Sequence, residues 1–363
     1  MKTIVVRLRE RSYGIRIAAG SVDELGALAR GALGGRARRA LVVTNARIAG
    51  LYGNRCRRAL KAADFTTYQF LIGDGERFKT LRSAESILTF MIERGIGRGD
   101  VVVALGGGVV GDVAGFAAAV HLRGISLLQV PTTLLAQIDS SVGGKTGVNH
   151  RLGKNLIGAF HQPSLVVIDP ETLRTLPLRE LRSGLYEALK YGVISDARLF
   201  HRIARETNRL LKFDAEELVH LIARSCAIKA SVVARDEREA GLRKALNFGH
   251  TVGHALEAVT NYRRFLHGEA VGHGMRTAAR IAERLKLLAS CDREAIDDAI
   301  KRVGQLPGAN TLALDGIISA MHYDKKAEAG RISFVLPVEI GRVVINSDVP
   351  SRVIRSALKD ALA

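Results

Sequence analysis

The chain has 363 residues, 47% hydrophobic and 25% charged, a composition typical of a globular protein with room for two domains. No apolar run approaches the roughly 18 residues of a membrane span, and residues 1–9 are too short and too charged for a signal peptide. The cysteines Cys56, Cys226 and Cys291 are odd in number and widely spaced, which argues against a disulfide framework and predicts a cytoplasmic protein.

The formal net charge of +18 is large, and it allows a partner among nucleic acids, acidic membrane surfaces or anionic small molecules. The basic residues are not gathered in one tail, and the chain has no tryptophan with which to build a base-stacking surface. We therefore interpret most of the charge as solvated surface and expect no nucleic-acid and no membrane partner. A basic nucleic-acid-binding protein is the alternative from a different functional class.

The first half of the chain alternates predicted strands and helices. Residues 2–9 and 13–18 predict a hairpin at a sheet edge, and Ser21 is placed as the N-cap of a short helix. An amphipathic helix is predicted over 81–95. A buried strand is predicted at Ala40–Thr44, and further strands are predicted at Thr67–Ile72, Ile125–Val130 and Val166–Asp169. This alternation predicts a mainly parallel sheet covered on both faces.

The clearest nucleotide signal is Val101–Val120, an apolar strand that runs into three glycines and a small-residue helix. Gly106, Gly108 and Gly111 have the G-x-G-x-x-G spacing, which lets the backbone approach a pyrophosphate at a helix N-terminus. The glycines could also serve only a tight turn. The strand is not the first of its domain and no acidic residue follows about twenty positions later, so we expect a non-standard Rossmann-like α/β domain.

Two glycine-bounded segments, 139–147 and 153–160, are expected to be polar, flexible loops. Lys145, Lys154 and Asn155 in them could bind a phosphate or carboxylate, or the lysines could be ordinary surface residues. The spacing G-x-x-x-x-G-K-[ST] is absent, which disfavours a nucleoside triphosphatase.

The pattern changes to long helical periods after Asp169-Pro170, which we place as the domain boundary. We expect domains at 1–170 and 171–363, the second mainly α-helical with a small hairpin at 331–345. Its helices are predicted at 179–194, 196–207, 215–235, 246–260, 269–288, 293–303, 314–321 and 350–361.

Three histidines cluster in the segment Leu246–Glu269. His250 and His254 are four apart, on one helical face, and His267 follows a break. They could be core or solvated histidines, but beside Gly249 and Gly253 they indicate a metal or acid–base site. Glu187 could supply a further ligand, or it could simply pair with Lys190 three residues later.

Taken together, the motifs resemble the 3-dehydroquinate synthase family. The matching blocks are Asp74-Gly75-Glu76 with Lys79, ALGGGVVGDVAGFAA at 104–118, Arg123, QVPTTLLAQIDSSVGGKTGVN at 129–149, GKNLIGAFHQP at 153–163, Glu187 with Lys190, NFGHTVGHALE at 247–257, LHGEAV at 266–271 and Asp324-Lys325-Lys326. These blocks follow the family's order and cover nearly the whole chain.

The resemblance implies an NAD-dependent, metal-containing lyase that cyclises 3-deoxy-arabino-heptulosonate 7-phosphate and releases phosphate. The implied steps are transient oxidation of the C5 carbinol, β-elimination of phosphate, reduction, ring opening and intramolecular aldol closure. Glu187, His250 and His267 match the family's ligands for Zn2+ (or Co2+). His254, which the spacing alone suggests as a ligand, becomes a polar group near the substrate. Tyr186 and His273 are small departures from the pattern.

The family pattern also assigns the other site residues. The implied catalytic residues are Lys145, Lys190, His254, Asn155 and Arg123. The implied substrate-binding residues are Lys229, Arg243, Asn247 and Lys326. The implied NAD contacts are Asp74, Gly75, Glu76, Arg77, Phe78, Lys79, Gly108, Val109, Val110, Gly111, Asp112, Thr132, Thr133, Asp139, Lys145, Lys154, Thr172, Leu173, Arg174 and Thr175.

The resemblance further predicts a homodimer whose substrate is an anionic sugar phosphate. Two enzymatic alternatives stand beside this assignment: another sugar-phosphate cyclase, and a glycerol-dehydrogenase-like polyol oxidoreductase.

Overall fold

The computed structural model describes residues 1–239, 241–324 and 332–363. The chain divides into two compact units. The first contains Met1–Leu176 and Lys229–Arg238, and the second contains Pro177–Ile228 and Glu239–Ala363. The functional division at residue 170 stays a prediction.

The first unit is built on a seven-stranded sheet within its described residues. Its strands are β1 (Lys2–Val6), β2 (Tyr13–Ile17), β3 (Arg39–Asn45), β4 (Thr66–Ile72), β5 (Val101–Gly106), β6 (Ser126–Pro131) and β9 (Leu165–Ile168). The order is β1-β2-β9-β6-β5-β3-β4, and only the β1–β2 pair is antiparallel. The predicted mainly parallel sheet with a hairpin at one edge is confirmed.

Helices cover both faces of this sheet. The helices of the unit are α1 (Leu25–Leu33), α2 (Ala46–Ile48), α3 (Asn54–Ala62), α4 (Leu81–Glu93) and α5 (Gly108–Val120). Successive side chains of a strand point to opposite faces. Val101, Val103 and Leu105 therefore pack with α1 and α3, whereas Val102 and Ala104 pack with α4 and α5.

Two local expectations for this unit were wrong. Ser21 does not cap α1, which begins at Leu25, because its hydroxyl donates to the carbonyl of Ile168. The segments at 139–160 are not simply loops, since β7 (Lys145–His150) and β8 (Gly153–Phe160) form an antiparallel hairpin. A Cβ on Gly147 or Gly158 would lie 2.6 or 2.3 Å from a backbone oxygen of the facing strand, so the glycines that suggested a loop permit close strand pairing.

The second unit is mainly helical, as predicted. Its helices are α6 (Leu178–Ser195), α7 (Ala197–Leu211), α8 (Ala215–Arg235, whose last turns belong to the first unit), α9 (His250–Val259), α10 (His267–Arg284), α11 (Ser290–Val303), α12 (Leu314–Asp324) and α13 (Ser351–Leu362). Strands β10 (Phe334–Glu339) and β11 (Arg342–Asn346) form the predicted hairpin.

The two helices that carry the clustered histidines begin elsewhere than predicted, as does α11, which starts at Ser290 rather than at residue 293. α9 starts at His250, not at residue 246, because Gly249 adopts a left-handed conformation with φ of 80°. α10 starts at His267, not at residue 269, because the carboxylate of Glu269 accepts the backbone N–H of Leu266 and so satisfies the helix start. The shifts of α9 and α10 both bring a histidine to the first residue of a helix.

Close backbone contacts fix α10 against its neighbours. A Cβ on Gly268 would lie 1.9 Å from the carbonyl oxygen of Ser183 in α6, and one on Gly274 would lie 1.8 Å from that of Gly249. Only glycine fits at such distances. The first residues of α9 and α10 are thereby held near the middle of α6.

Within the described ranges, none of the helices combines the length and apolar character that crossing a bilayer requires.

Candidate functional site

In the first unit, the residues predicted to bind NAD gather at one edge of the sheet. Asp74 follows β4, Gly108 follows β5, Thr132 follows β6 and Thr172 follows β9, so each lies beyond the carboxyl end of a parallel strand. The chain passes from β3 outward to β4 and then returns to β5 on the other side of β3. Ligands of open α/β sheets bind beside such a reversal.

The N-terminus of α5 lies at this edge, where its first backbone N–H groups can bind an anion. The helix starts at Gly108, and a Cβ there would approach the hydroxyl of Ser140 to 3.2 Å. Val109 and Val110 complete the first turn, and Val110 is buried in the core. Gly111 leaves room for Gln129, whose Oε1 would lie 2.9 Å from an added Cβ.

Lys79 joins the helix to the β7–β8 hairpin. Its Nζ lies 2.5 Å from Oδ2 of Asp112 and also donates to Oδ1 of Asn155. Burial raises the pKa of Asp112, while the ammonium of Lys79 opposes that rise. Asn155 has a positive φ of 56°, and its backbone N–H donates to Oδ1 of Asn149. The structure thus brings a predicted NAD residue and a predicted catalytic residue together through one lysine.

The segment after β4 is tied to the same hairpin. Oε1 of Glu76 accepts from Nδ2 of Asn149 at 2.8 Å and lies 3.6 Å from Nζ of Lys154. Asp74 accepts from Asn45, the last residue of β3. Phe78 packs under Gly73, where an added Cβ would meet its ring at 2.4 Å, while the guanidinium of Arg77 lies over that ring. Gly75 turns with φ of 95°.

Asp139 and Lys229 form a further pair in the first unit. Nζ of Lys229 lies 2.7 Å from Oδ1 of Asp139 and 2.8 Å from its carbonyl oxygen. Thr133 caps the following turn by accepting the N–H of Ala136, while the hydroxyl of Thr132 is buried without a hydrogen-bond partner among the described residues. That hydroxyl therefore suits a ligand group.

The predicted NAD segment at 172–175 is packed into the protein. The hydroxyl of Tyr52 donates to the carbonyl of Thr172 and bonds the hydroxyl of Thr175. Leu173 is fully buried, and Arg174 pairs with the adjacent Glu171. These contacts hold the segment packed against the unit just after β9.

Arg123 is not brought to this edge. It precedes β6, whereas Thr132 follows it, so the two lie at opposite ends of a six-residue strand roughly 20 Å long. Lys145 begins β7 and is exposed.

In the second unit, Glu187, His250 and His267 converge. Oε1 of Glu187 lies 3.7 Å from Nε2 of His250 and 3.6 Å from Nε2 of His267. Tetrahedral ligands about 2.1 Å from a zinc ion stand about 3.4 Å apart. Oε1 is buried and has no hydrogen-bond donor among the described residues. One carboxylate oxygen and two imidazole nitrogens therefore fit a divalent metal.

Both imidazoles present the correct nitrogen for such a site. Nδ1 of His250 lies 3.2 Å from the carbonyl of Phe248, and Nδ1 of His267 lies 3.2 Å from Oε2 of Glu257. Nδ1 is thus the donor in each ring, which leaves Nε2 with a lone pair. Burial, together with Lys190 and the neighbouring histidines, holds the pKa of His250 well below its usual value, so this imidazole stays neutral.

Among the other predicted residues of this unit, Lys190 and His254 lie beside the three. Lys190 is buried, with Nζ 2.6 Å from Oε2 of Glu187. The ring of His254 has its centroid 5.3 Å from that of His250 and 6.0 Å from that of His267. Arg243 is buried, and Asn247 donates to Glu239 in the turn before α9. Lys326 lies outside the described residues.

Sequence reasoning missed Glu257, although it lies inside a quoted motif. It follows His250 by seven residues, which is two helical turns, so it shares the face of His250 and His254. That spacing was the available signal. His254, Glu257 and His267 form a second group whose ligand atoms lie within 4.8 Å of one another.

Comparison with known proteins agrees with this architecture. Family models described as 3-dehydroquinate synthase N-terminal and C-terminal match residues 69–183 and 184–327. The chain is 50% identical to the 3-dehydroquinate synthase of Gloeobacter violaceus over 99% of both chains, and 47% identical to that of Nostoc punctiforme over 98% of both.

A solved structure shares the whole fold. It is 2-epi-5-epi-valiolone synthase from Streptomyces hygroscopicus, with NAD+ and Zn2+ bound. The identity is 30%, the TM-score is 0.90, and 99% of each chain is covered. Two consecutive family models match residues 69–327, and the relatives are 47–50% identical over nearly the full chain. The chain therefore belongs to the 3-dehydroquinate synthase family.

Proposed function

We propose that the protein is a 3-dehydroquinate synthase, an NAD- and metal-dependent lyase. It converts 3-deoxy-D-arabino-heptulosonate 7-phosphate to 3-dehydroquinate and phosphate, a step of the shikimate pathway of aromatic amino-acid biosynthesis. The observation that carries the proposal is the 47–50% identity to 3-dehydroquinate synthases over nearly the full chain. The convergence of Glu187, His250 and His267 supports it from the geometry.

Each unit has a distinct role in the proposal. When bound, NAD supplies reversible oxidation of a carbinol, and Zn2+ (or Co2+) polarises an oxygen of the substrate. The domain at 1–170 binds the nucleotide with the N–H groups of α5 and the polar residues beyond the strand ends. The domain at 171–363 holds the metal through Glu187, His250 and His267 and binds substrate nearby.

The remaining polar residues bind and orient an anionic sugar phosphate. Arg243 and Asn247 receive the carboxylate, since a guanidinium and an amide can donate to it together. Lys145, Asn155, Lys229 and Lys326 bind the phosphate and hydroxyl groups, and Arg123, which lies at the other end of β6, is left out of this set. Lys190 and His254 act beside the reacting carbons as charged and polar hydrogen-bonding groups. We further propose a cytoplasmic homodimer that binds neither nucleic acid nor membrane.

Phosphate release from the heptulosonate phosphate, followed with and without NAD, tests the function. We expect release only with NAD, loss of it on chelation and recovery with Zn2+ or Co2+, with no net NADH. Steady accumulation of NADH would instead identify a polyol oxidoreductase. Full activity in a demonstrably metal-free preparation would contradict the metal site.

Two histidine variants test the ligand set. His250→Ala removes a proposed ligand, so we expect loss of bound metal together with rate. His254→Ala should lower the rate yet keep one metal ion per chain in an elemental assay. Metal lost in step with activity in the second variant would favour a His250–His254 ligand pair.

Another sugar-phosphate cyclase is the second candidate. The observation that favours it is the TM-score of 0.90 to 2-epi-5-epi-valiolone synthase. Its 30% identity lies well below the values for the 3-dehydroquinate synthases, and substrate choice separates the two.

A further inference from the structure

We infer that Glu257 is a positioning residue that orients the imidazole of His267 and strengthens metal binding at Glu187, His250 and His267. The inference rests on the proposed metal site. It does not depend on which sugar phosphate the protein converts.

The geometry places Glu257 directly behind His267. Oε2 of Glu257 lies 3.2 Å from Nδ1 of His267, and the residue is only 4% exposed. Glu257 lies on α9, whereas His267 is the first residue of α10. One face of α9 therefore carries both His250 and the carboxylate that contacts the histidine of the next helix.

This contact fixes which nitrogen of His267 is available. With its N–H on Nδ1 directed at the carboxylate, the ring keeps the lone pair of Nε2 toward Oε1 of Glu187, 3.6 Å away. A carboxylate on the far nitrogen also makes the near nitrogen a better metal ligand.

His250 offers an internal comparison. Its Nδ1 faces the backbone carbonyl of Phe248 at 3.2 Å, so the chain itself fixes that ring. For His267 the same role falls to the side-chain carboxylate of Glu257, which a substitution can remove.

The group formed by His254, Glu257 and His267 allows an alternative interpretation, in which Glu257 is itself a ligand of a second ion. His267 belongs both to this group and to the group formed with Glu187 and His250. A second ion would need Nδ1 of His267, the same nitrogen that contacts Glu257, and would displace that hydrogen bond. Metal stoichiometry separates these readings.

The experiment measures zinc affinity of the metal-free protein by competition with a chelator. Glu257→Ala should weaken binding about 10–100-fold, the range found when outer-shell partners of metal ligands are removed. Glu257→Gln preserves the volume and an acceptor oxygen, so its loss should be smaller. Glu217→Gln is the matched control, since Glu217 is also 4% exposed but pairs with Arg202 and Arg209. Its zinc affinity should stay within about twofold of the parent.

A second readout uses the cobalt-loaded protein, whose visible absorption reports the ligand field. We expect Glu257→Gln to shift that spectrum while circular dichroism shows a folded chain, and Glu217→Gln to leave it unchanged. Unchanged affinity in Glu257→Ala, or two metal ions per parent chain, would overturn the inference. If the unsubstituted protein binds no zinc, the proposed metal site is wrong as well. If it binds zinc but releases no phosphate, only the proposed reaction is wrong.

Discussion

Nζ of Lys190 lies 2.6 Å from Oε2 of Glu187, and the two side chains are 2% and 1% exposed. The ammonium therefore neutralises one oxygen of the carboxylate while the other oxygen faces the two histidines. A buried carboxylate left without a counter-charge is costly, and Lys190 supplies that counter-charge to Glu187 when no metal is bound.

Replacing Lys190 with methionine should destabilise the metal-free protein more than the zinc-loaded protein. The lost partner leaves Glu187 buried and unpaired, which typically costs about 3–5 kcal/mol. Zinc would supply a new counter-charge and bind only the folded state, so the deficit should shrink in saturating zinc. Urea denaturation with and without zinc measures both values. Lys61→Met, on the exposed surface of α3, is the control, and an equal deficit in both conditions would contradict the prediction.

Gly274→Ala should disturb the metal site through the backbone. The added Cβ would lie 1.8 Å from the carbonyl oxygen of Gly249, so α9 and α10 must separate. We expect the free energy of unfolding to fall by at least about 2 kcal/mol and zinc affinity to fall with it.

Gly316→Ala is the matched control for that substitution. Gly316 lies in α12, is exposed and has nothing within 4 Å of an added Cβ. Alanine there should raise stability by about 0.5–1 kcal/mol through helix propensity. Equal changes in the free energy of unfolding and in zinc affinity for the two variants would contradict the proposed role of the Gly274–Gly249 contact.

His273 should make stability depend on pH. Burial lowers its pKa to about 4, and its Nε2–H donates to the carbonyl of Pro307. Nδ1 is buried without a partner among the described residues, so a proton there would have no acceptor. Above about pH 6.5 both folded and unfolded forms are neutral. As the pH falls toward 4 only the unfolded form gains the proton, which removes roughly 3 kcal/mol of stability.

The difference between the parent and His273→Gln isolates that contribution. Glutamine can still donate to Pro307 but does not titrate, so its stability should fall less between pH 6.5 and 4 in urea denaturation. The exposed His201→Gln serves as control and should follow the parent. Parallel pH curves for parent and His273→Gln would refute the assignment.

Arg243→Ala tests recognition of the substrate carboxylate. Arg243 is buried just before α9, and removing the partner of a buried charge costs on the order of 2–5 kcal/mol. We expect kcat/KM for the heptulosonate phosphate to fall at least about 30-fold. Arg302→Ala, at an exposed position, should leave it unchanged. Sedoheptulose 7-phosphate, which lacks the carboxylate, should be a poor substrate of the parent, and equal turnover of the two sugars would assign the chain to another cyclase.

The central strands of the sheet could be predicted because they are strongly apolar and separated by clear turn signals. Val101–Gly106, with alternate residues buried on both faces, is the clearest case. The β7–β8 hairpin could not be predicted, because Gly147 and Gly158 are typical of loops in the sequence. Their role in close strand pairing depends on the facing strand. Local propensity gives no information about a partner elsewhere in the chain.

The candidate metal site shows the same limit. Spacing alone draws attention to His250 and His254, because they share a helical face. The nearness of Glu187 and His267 depends on contacts of Gly268 with Ser183 and of Gly274 with Gly249, which no periodicity reveals. The sequence offered His267 and Glu187 as candidates, and the family pattern singled them out as ligands together with His250. The spacing of Glu257 from His250 was a signal, but its contact with His267 appears only in the folded chain.

The pairing of Asp139 with Lys229 affects the order in which the chain can fold. The two residues are 90 positions apart, and the intervening chain enters the second unit before Lys229–Arg238 returns to the first. During synthesis the strands of the N-terminal sheet leave the ribosome before Lys229, the ammonium partner of Asp139, has been made. A fragment ending at Leu176 would keep every described strand of the sheet yet lack the ammonium of Lys229, so the first unit reaches its final form only after Pro177–Ile228 of the second unit has been made.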